Sequence, residues 1–168
     1  DFSKVERLNL STLDVFTATH VKHLSTFAFT HIDIPAHLLT TDTITALSKW
    51  PHRKTIFNIE VKDTAVDNLK GLGNLPVDTL LLGNITTKNP DLGSVFAGTI
   101  PNIEVETTLP IQGVEAFKGE SLSITRYRDW DNDRYSSSDV NQLINAFQGK
   151  SLTVGFVQDL TPELADTI

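Results

Sequence analysis

The chain has no cysteine and no methionine. Disulfides, thiolate metal sites and cysteine nucleophiles are therefore excluded. No apolar run approaches the ~18 residues that a membrane-spanning helix needs, so no membrane span is expected. Cationic side chains are in deficit: 14 Lys and Arg stand against 21 Asp and Glu, a formal net charge of −7. Most of such a surface repels a phosphate backbone, so nucleic acid is not an expected partner. No Gly-x-Ser-x-Gly elbow and no GxxxxGK[ST] loop occurs, which leaves a serine nucleophile and a phosphate cradle unsupported. No linker or low-complexity stretch divides the chain, so 1–168 is expected to form one array. Asp1 stands where an initiator Met would, and the expectation is a processed product or an excised piece, with any targeting segment removed.

What the chain does have is a phrase that occurs twice. Ala116-Phe117-Lys118-Gly119-Glu120-Ser121-Leu122-Ser123-Ile124 returns as Ala146-Phe147-Gln148-Gly149-Lys150-Ser151-Leu152-Thr153-Val154, identical at five of nine positions. Ala-Phe reads as the apolar end of a helix or turn. Gly reads as a stop that takes positive φ without a Cβ penalty. The alternating Ser-Leu-Ser-Ile and Ser-Leu-Thr-Val read as half-buried strands. Weaker copies lie upstream. The first apolar strand residues are expected at Leu8, Phe27, Phe57, Leu80, Ile103, Leu122 and Leu152, at intervals of 19, 30, 23, 23, 19 and 30 residues. Seven short strands, each preceded by a helical or turning segment, predict an irregular repeat array of about seven units.

Between the strands, Ile44 and Leu47 form an inward stripe after a cap at Thr41 or Asp42, and Pro51 stops that helix. Val66, Leu69 and Leu72 form a second stripe, ended by Gly71 and Gly73. Leu92, Val95 and Phe96 form a single turn, and Ile111, Val114 and Phe117 the next. Val140, Leu143, Ile144 and Phe147 follow a cap at Ser138 or Asp139.

Val5-x-x-Leu8-x-Leu10, Leu24-x-x-Phe27-x-Phe29, Val77-x-x-Leu80-x-Leu82 and Ile100-x-x-Ile103-x-Val105 resemble the LxxLxL strand of leucine-rich repeats. The Phe-x-Gly-x-Ser-Leu junctions resemble those of bacterial cell-surface leucine-rich repeat proteins. The resemblance implies an α/β solenoid: a curved parallel sheet with short helices or turns on the other face. The family's asparagine after the second strand leucine is missing here, so a regular horseshoe is not expected. The resemblance also implies binding without catalysis, through the residues between the core leucines. On this chain those include Arg7, Asn9, Thr26, Ala28, Asn58, Glu60, Leu81, Asn102, Glu104 and Glu106, a polar and mildly acidic set. A basic or hydroxyl-rich partner suits it.

A second candidate site is the excursion after the sixth strand. It holds Arg126, Tyr127, Arg128, Trp130 and Tyr135, and so three of the four Trp and Tyr residues of the chain. Aromatic and arginine side chains are the types most enriched at binding hot spots. Asp129, Asp131 and Asp133 resemble the start of a calcium loop, but Arg134 and Val140 replace the Gly and Glu that such a loop needs. His20 and His23 are three apart on a helical segment with no third ligand nearby, where zinc needs three or four. Glu104 and Glu106 fall on one strand face, an arrangement that is far more often solvated than catalytic. The expectation is a non-catalytic protein- or glycan-recognition module with no metal and no cofactor, extracellular or on a bacterial surface. The alternatives are a carbohydrate-active enzyme on a parallel β-helix and an intracellular substrate receptor of F-box type.

Overall fold

The computed structural model describes residues 5–62, 69–87, 90–107, 110–125 and 136–155. Seven strands lie side by side in chain order, every pair parallel. They are β1 (Arg7–Asn9), β2 (His31–Pro35), β3 (Ile56–Lys62), β4 (Thr79–Ile85), β5 (Asn102–Thr107), β6 (Ser121–Thr125) and β7 (Ser151–Val154). Among the described residues four short helices fall between them: α1 (Ala18–Leu24), α2 (Thr41–Leu47), α3 (Gly93–Phe96) and α4 (Ser137–Ala146). Single 3₁₀ turns at Ala36–Leu38, Leu72–Asn74 and Val114–Ala116 complete the described connections. Parallel neighbours require crossovers, and right-handed crossovers that advance one strand at a time lay every helix on the same face. The sheet is open, since β1 and β7 do not pair.

Strand alternation builds the core. Register places Leu8, Ile32, Phe57, Leu80, Ile103, Leu122 and Leu152 in one row across the sheet. The row two residues on contains Ile34, Ile59, Leu82, Val105, Ile124 and Val154. Phe57, Ile59 and Val61 of β3 are fully buried, whereas Leu8 and Leu152 on the outer strands are only partly covered. The helices add Val21, Ile44, Leu47, Val95, Phe96, Val140 and Leu143 to the same cluster.

One rung differs from the sequence expectation. The second strand, expected over residues 24–29 with an extension through Ile32 and Ile34, is β2 alone, and Ile32, not Phe27, is the neighbour of Leu8. Phe29-x-x-Ile32-x-Ile34 carries the same LxxLxL spacing, so alternation alone does not choose between the two registers. The helix decides. A reciprocal cap between Thr17 and His20 starts α1, which runs to Leu24, and residues 24–27 then form the turn that leaves it. The chain becomes extended only where the Thr30 and His31 amides bond to Glu6 O at 2.8 and 3.1 Å. Thr26 therefore lies in the turn and Ala28 just after it, and His31 and Asp33 take the strand positions expected of them. With this correction the core residues recur at intervals of 24, 25, 23, 23, 19 and 30, more even than the sequence reading.

The doubled phrase is a structural unit, for a different reason than glycine's φ. Neither Gly119 nor Gly149 has positive φ; among described glycines only Gly71 and Gly113 do. Each Phe folds its ring back over the glycine two residues on. A Cβ at Gly119 would stand 2.5 Å from Phe117 Cζ, and one at Gly149 would stand 2.6 Å from Phe147 Cζ. The rings form a continuing stack: Phe96 meets Phe117 edge-on at 6.1 Å, and Phe117 lies nearly parallel to Phe147 at 5.9 Å. Upstream, Trp50 packs edge-on against Phe57 at 5.4 Å. Its Nε1–H donates to Thr55 Oγ1 at 3.1 Å, and that buried hydroxyl donates to Phe29 O at 2.8 Å.

The capping residues sit earlier than expected, at Thr40 for α2 and Ser136 for α4. Where an asparagine ladder is missing, threonines bond neighbouring turns. Thr107 Oγ1 donates to Ile85 O and Thr86 Oγ1 to Lys62 O, both at 3.3 Å.

Candidate functional site: the open face of the sheet

Residues that alternate with the core project from the opposite face, which no described helix covers. Its middle row, in register, is Asn9, Asp33, Asn58, Leu81, Glu104, Ser123 and Thr153. The row before it includes Arg7, His31, Ile56, Thr79 and Asn102. The face is mostly polar, with Leu81 and Ile56 as its apolar members on β4 and β3, and a cleft of about 210 Å³ opens in it across β1–β5. Drug-sized ligand pockets span roughly 300–1,000 Å³, so this cleft suits one side chain or a single small group.

A β-bulge makes the cleft. Leu82 pairs with Val105 and Ile85 with Thr107, so Gly83 and Asn84 together oppose Glu106 alone. A bulge re-aims side chains and breaks strict alternation. Here it turns both Gly83 and Asn84 toward the cleft. Asn84 adopts φ 55°, a left-handed conformation that Asn tolerates better than most residues. Gly83 leaves the floor empty: a Cβ there would lie 3.5 Å from both Asn58 Oδ1 and Glu106 Oε2.

Hydrogen bonds orient the walls. Arg7 grips Asp33 with two parallel bonds, Nε to Oδ2 at 2.8 Å and Nη2 to Oδ1 at 3.0 Å. Asn58 Nδ2 donates to the same Oδ1 at 2.9 Å. The hydrogen bond from Arg7 holds the Asp33 carboxyl below its ordinary pKa. Partial burial opposes this shift, and the bond from Asn58 and the charges of Arg7 and His31 reinforce it. Asp33 is thus an ionised acceptor, which requires Asn58 to present its NH₂ to it and its carbonyl oxygen elsewhere. Asn84 Nδ2 likewise donates to Glu60 Oε1 at 3.3 Å, and Lys62 Nζ lies 3.0 Å from that oxygen. Among the described residues neither Glu104 nor Glu106 has an ion-pair partner.

Of the residues singled out from the sequence, Arg7, Asn9, Asn58, Glu60 and Glu106 line the cleft. Asn102 and Glu104 share the face but stand beside it. Asn102 ties β5 to the preceding turn, its Nδ2 donating to Asp78 O at 2.9 Å. Arg126, Tyr127, Arg128, Trp130 and Tyr135, and the acidic run 129–133, lie outside the described residues. The sequence did not place Asp33, Gly83 or Asn84 among the expected ligand-binding residues. Asp33 was hidden by the register of β2, and the other two by a bulge that alternation does not announce. His20 serves as a cap: its Nδ1 accepts from Thr17 N at 3.1 Å. No group of three or more metal-ligating side chains occurs among the described residues. No described helix is long and apolar enough to cross a membrane. No family model, curated protein or solved structure matches the chain.

Proposed function

We propose that the chain is a recognition module of the leucine-rich-repeat type, a solenoid that binds a protein or glycan ligand through its open sheet face and carries out no catalysis. The observation that carries this reading is the uncovered face itself. Each rung places polar side chains in register on it, and the bulge at Gly83–Asn84 opens a cleft there. The intervals of 23–25 residues through the first five strands support the repeat reading. So does the presence, among the described residues, of one strand per unit, where a β-helix coil has two or three. Placement on a bacterial surface or in a secreted protein suits a cysteine-free chain whose Phe-x-Gly-x-Ser-Leu junctions resemble those of bacterial cell-surface leucine-rich repeat proteins.

The test is a screen of the protein on peptide and glycan arrays, followed by the same screen with Glu104→Lys. A charge reversal at the exposed centre of the face is expected to remove the captured ligand without lowering Tm. Retention of that ligand by Glu104→Lys, with loss on substitution of exposed residues of the helical side such as Glu115, overturns the reading.

A further inference from the structure

We infer that the open face docks a protein segment bearing an arginine, whose guanidinium seats over Gly83 between Asn58, Glu60 and Glu106. The inference rests on the recognition reading above and names the chemistry of the partner.

The argument is one of donors and acceptors. The spot above Gly83 is flanked on the β3 side by Asn58 Oδ1 and on the β5 side by Glu106 Oε2, each 3.5 Å from where a Cβ would stand. Asn58 cannot turn its amide around, because its NH₂ is committed to ionised Asp33. Asn84 commits its NH₂ to Glu60 in the same way. The amide donors of Asn58 and Asn84 are thus spent on carboxylates of the neighbouring strands, and Asn58 Oδ1 and Glu106 Oε2 face the empty floor as acceptors. An occupant must bring N–H or O–H groups.

Charge narrows the choice. Arg7 neutralises Asp33, and Lys62 stands on Glu60, but Glu106 has no cation beside it among the described residues. A cation therefore complements the cleft better than a neutral hydroxyl. Shape narrows it further. Arginine offers five N–H donors in a planar fork that can engage acceptors on two sides at once, whereas lysine is a point charge. A cavity of about 150 Å³ holds a benzene-sized group. The cleft of about 210 Å³ therefore has room for a guanidinium and part of its stem, and not for an oligosaccharide. Among the described residues, no Trp, Tyr or Phe stands on this face to stack on a sugar ring.

The experiment titrates the full chain with N-acetyl-arginine amide and follows backbone amides by NMR. The neutral isostere N-acetyl-citrulline amide, the lysine analogue and glucose serve as comparators. The arginine probe is expected to shift the amides of Asn58, Gly83 and Asn84 with a dissociation constant of order 1 mM. Citrulline and glucose are expected to leave them in place, lysine to bind more weakly, and added salt to weaken the arginine response. Glu106→Gln should weaken binding about threefold, as for a partly exposed ion pair. Gly83→Leu should abolish it. Gly83→Ala, whose Cβ meets only ordinary contacts, should reduce it and guards against a folding defect in the larger variant. No shift at these amides, or an equal response to citrulline, glucose or lysine, overturns the inference. An array ligand that is lost with Glu104→Lys yet indifferent to Gly83→Leu overturns it too, and leaves the recognition reading standing.

Discussion

The two faces of the sheet are made by the same strands from alternate residues, yet they follow opposite rules. On β3 the inward residues Phe57, Ile59 and Val61 are fully buried, while Asn58 and Glu60 between them line a polar cleft. On β5, Ile103 and Val105 are buried, while Glu104 is exposed and Glu106 stands over the floor of the cleft. The difference teaches that packing and surface chemistry are separable at a spacing of one residue. A substitution on the inner face changes packing; one on the open face changes the charges and hydrogen-bonding groups presented to solvent.

The largest expected effect breaks the inner side. Phe117→Ala removes the ring between Phe96 and Phe147 and should cost roughly 3–5 kcal/mol in urea unfolding. A parent-like midpoint would show that the stacked rings do not bear the load of the helical side. Next comes the backbone contact between successive turns. A Cβ at Gly98 would stand 2.0 Å from Gly73 O, whose oxygen also accepts from Thr99 N at 2.8 Å. Gly98→Ala should therefore cost about 1–3 kcal/mol, as overpacking does. Thermal melting of the variant checks it.

Thr55→Val is the polar counterpart within the core. It preserves shape but leaves Phe29 O and Trp50 Nε1 without the hydroxyl between them, at a cost of about 1–3 kcal/mol. The double variant Thr55→Val/Trp50→Phe should recover part of that loss, because one orphaned donor is then removed.

Smaller effects sharpen the comparison from the open side. The Asp33 carboxyl is held below its ordinary pKa. Its contribution to stability is therefore present above the unfolded value near about 4 and is lost as pH falls through the lower folded value. Between pH 7 and pH 3, Tm of the parent should fall more than that of Asp33→Asn. Parallel pH profiles would show that the Arg7–Asp33 bond organises the surface without stabilising the fold. Glu104→Gln should be the mildest change, within about 0.5 kcal/mol of the parent by urea unfolding, because it touches only an exposed position.

Much of the inner face could be read directly from the chain. Phe57-x-Ile59-x-Val61, Leu80-x-Leu82, Ile103-x-Val105, Leu122-x-Ile124 and Leu152-x-Val154 alternate as strands do, and the sheet pairs them in that order. Leu92, Val95 and Phe96 were legible as an inward turn because their spacing suits one helical face. The second rung was ambiguous, since residues 24–29 and 29–34 carry the same pattern and only the exit turn of α1 separates them. Glycine was legible as special at 119 and 149, but the closing of each Phe ring over it was not.

By itself the sequence determined the period and the sidedness. Local alternation states which residues avoid water, and a spacing near 23 residues states how often the chain returns. Only the tertiary structure decided the register of β2, the bulge opposite Glu106 and the meeting of Asp33, Asn58, Gly83 and Glu106. Those four residues come from four strands, some two dozen residues apart along the chain. Their proximity depends on how each strand slides against the next. That slide is set by backbone hydrogen bonds and by the packing of helices on the far face, neither of which a local pattern of residues encodes.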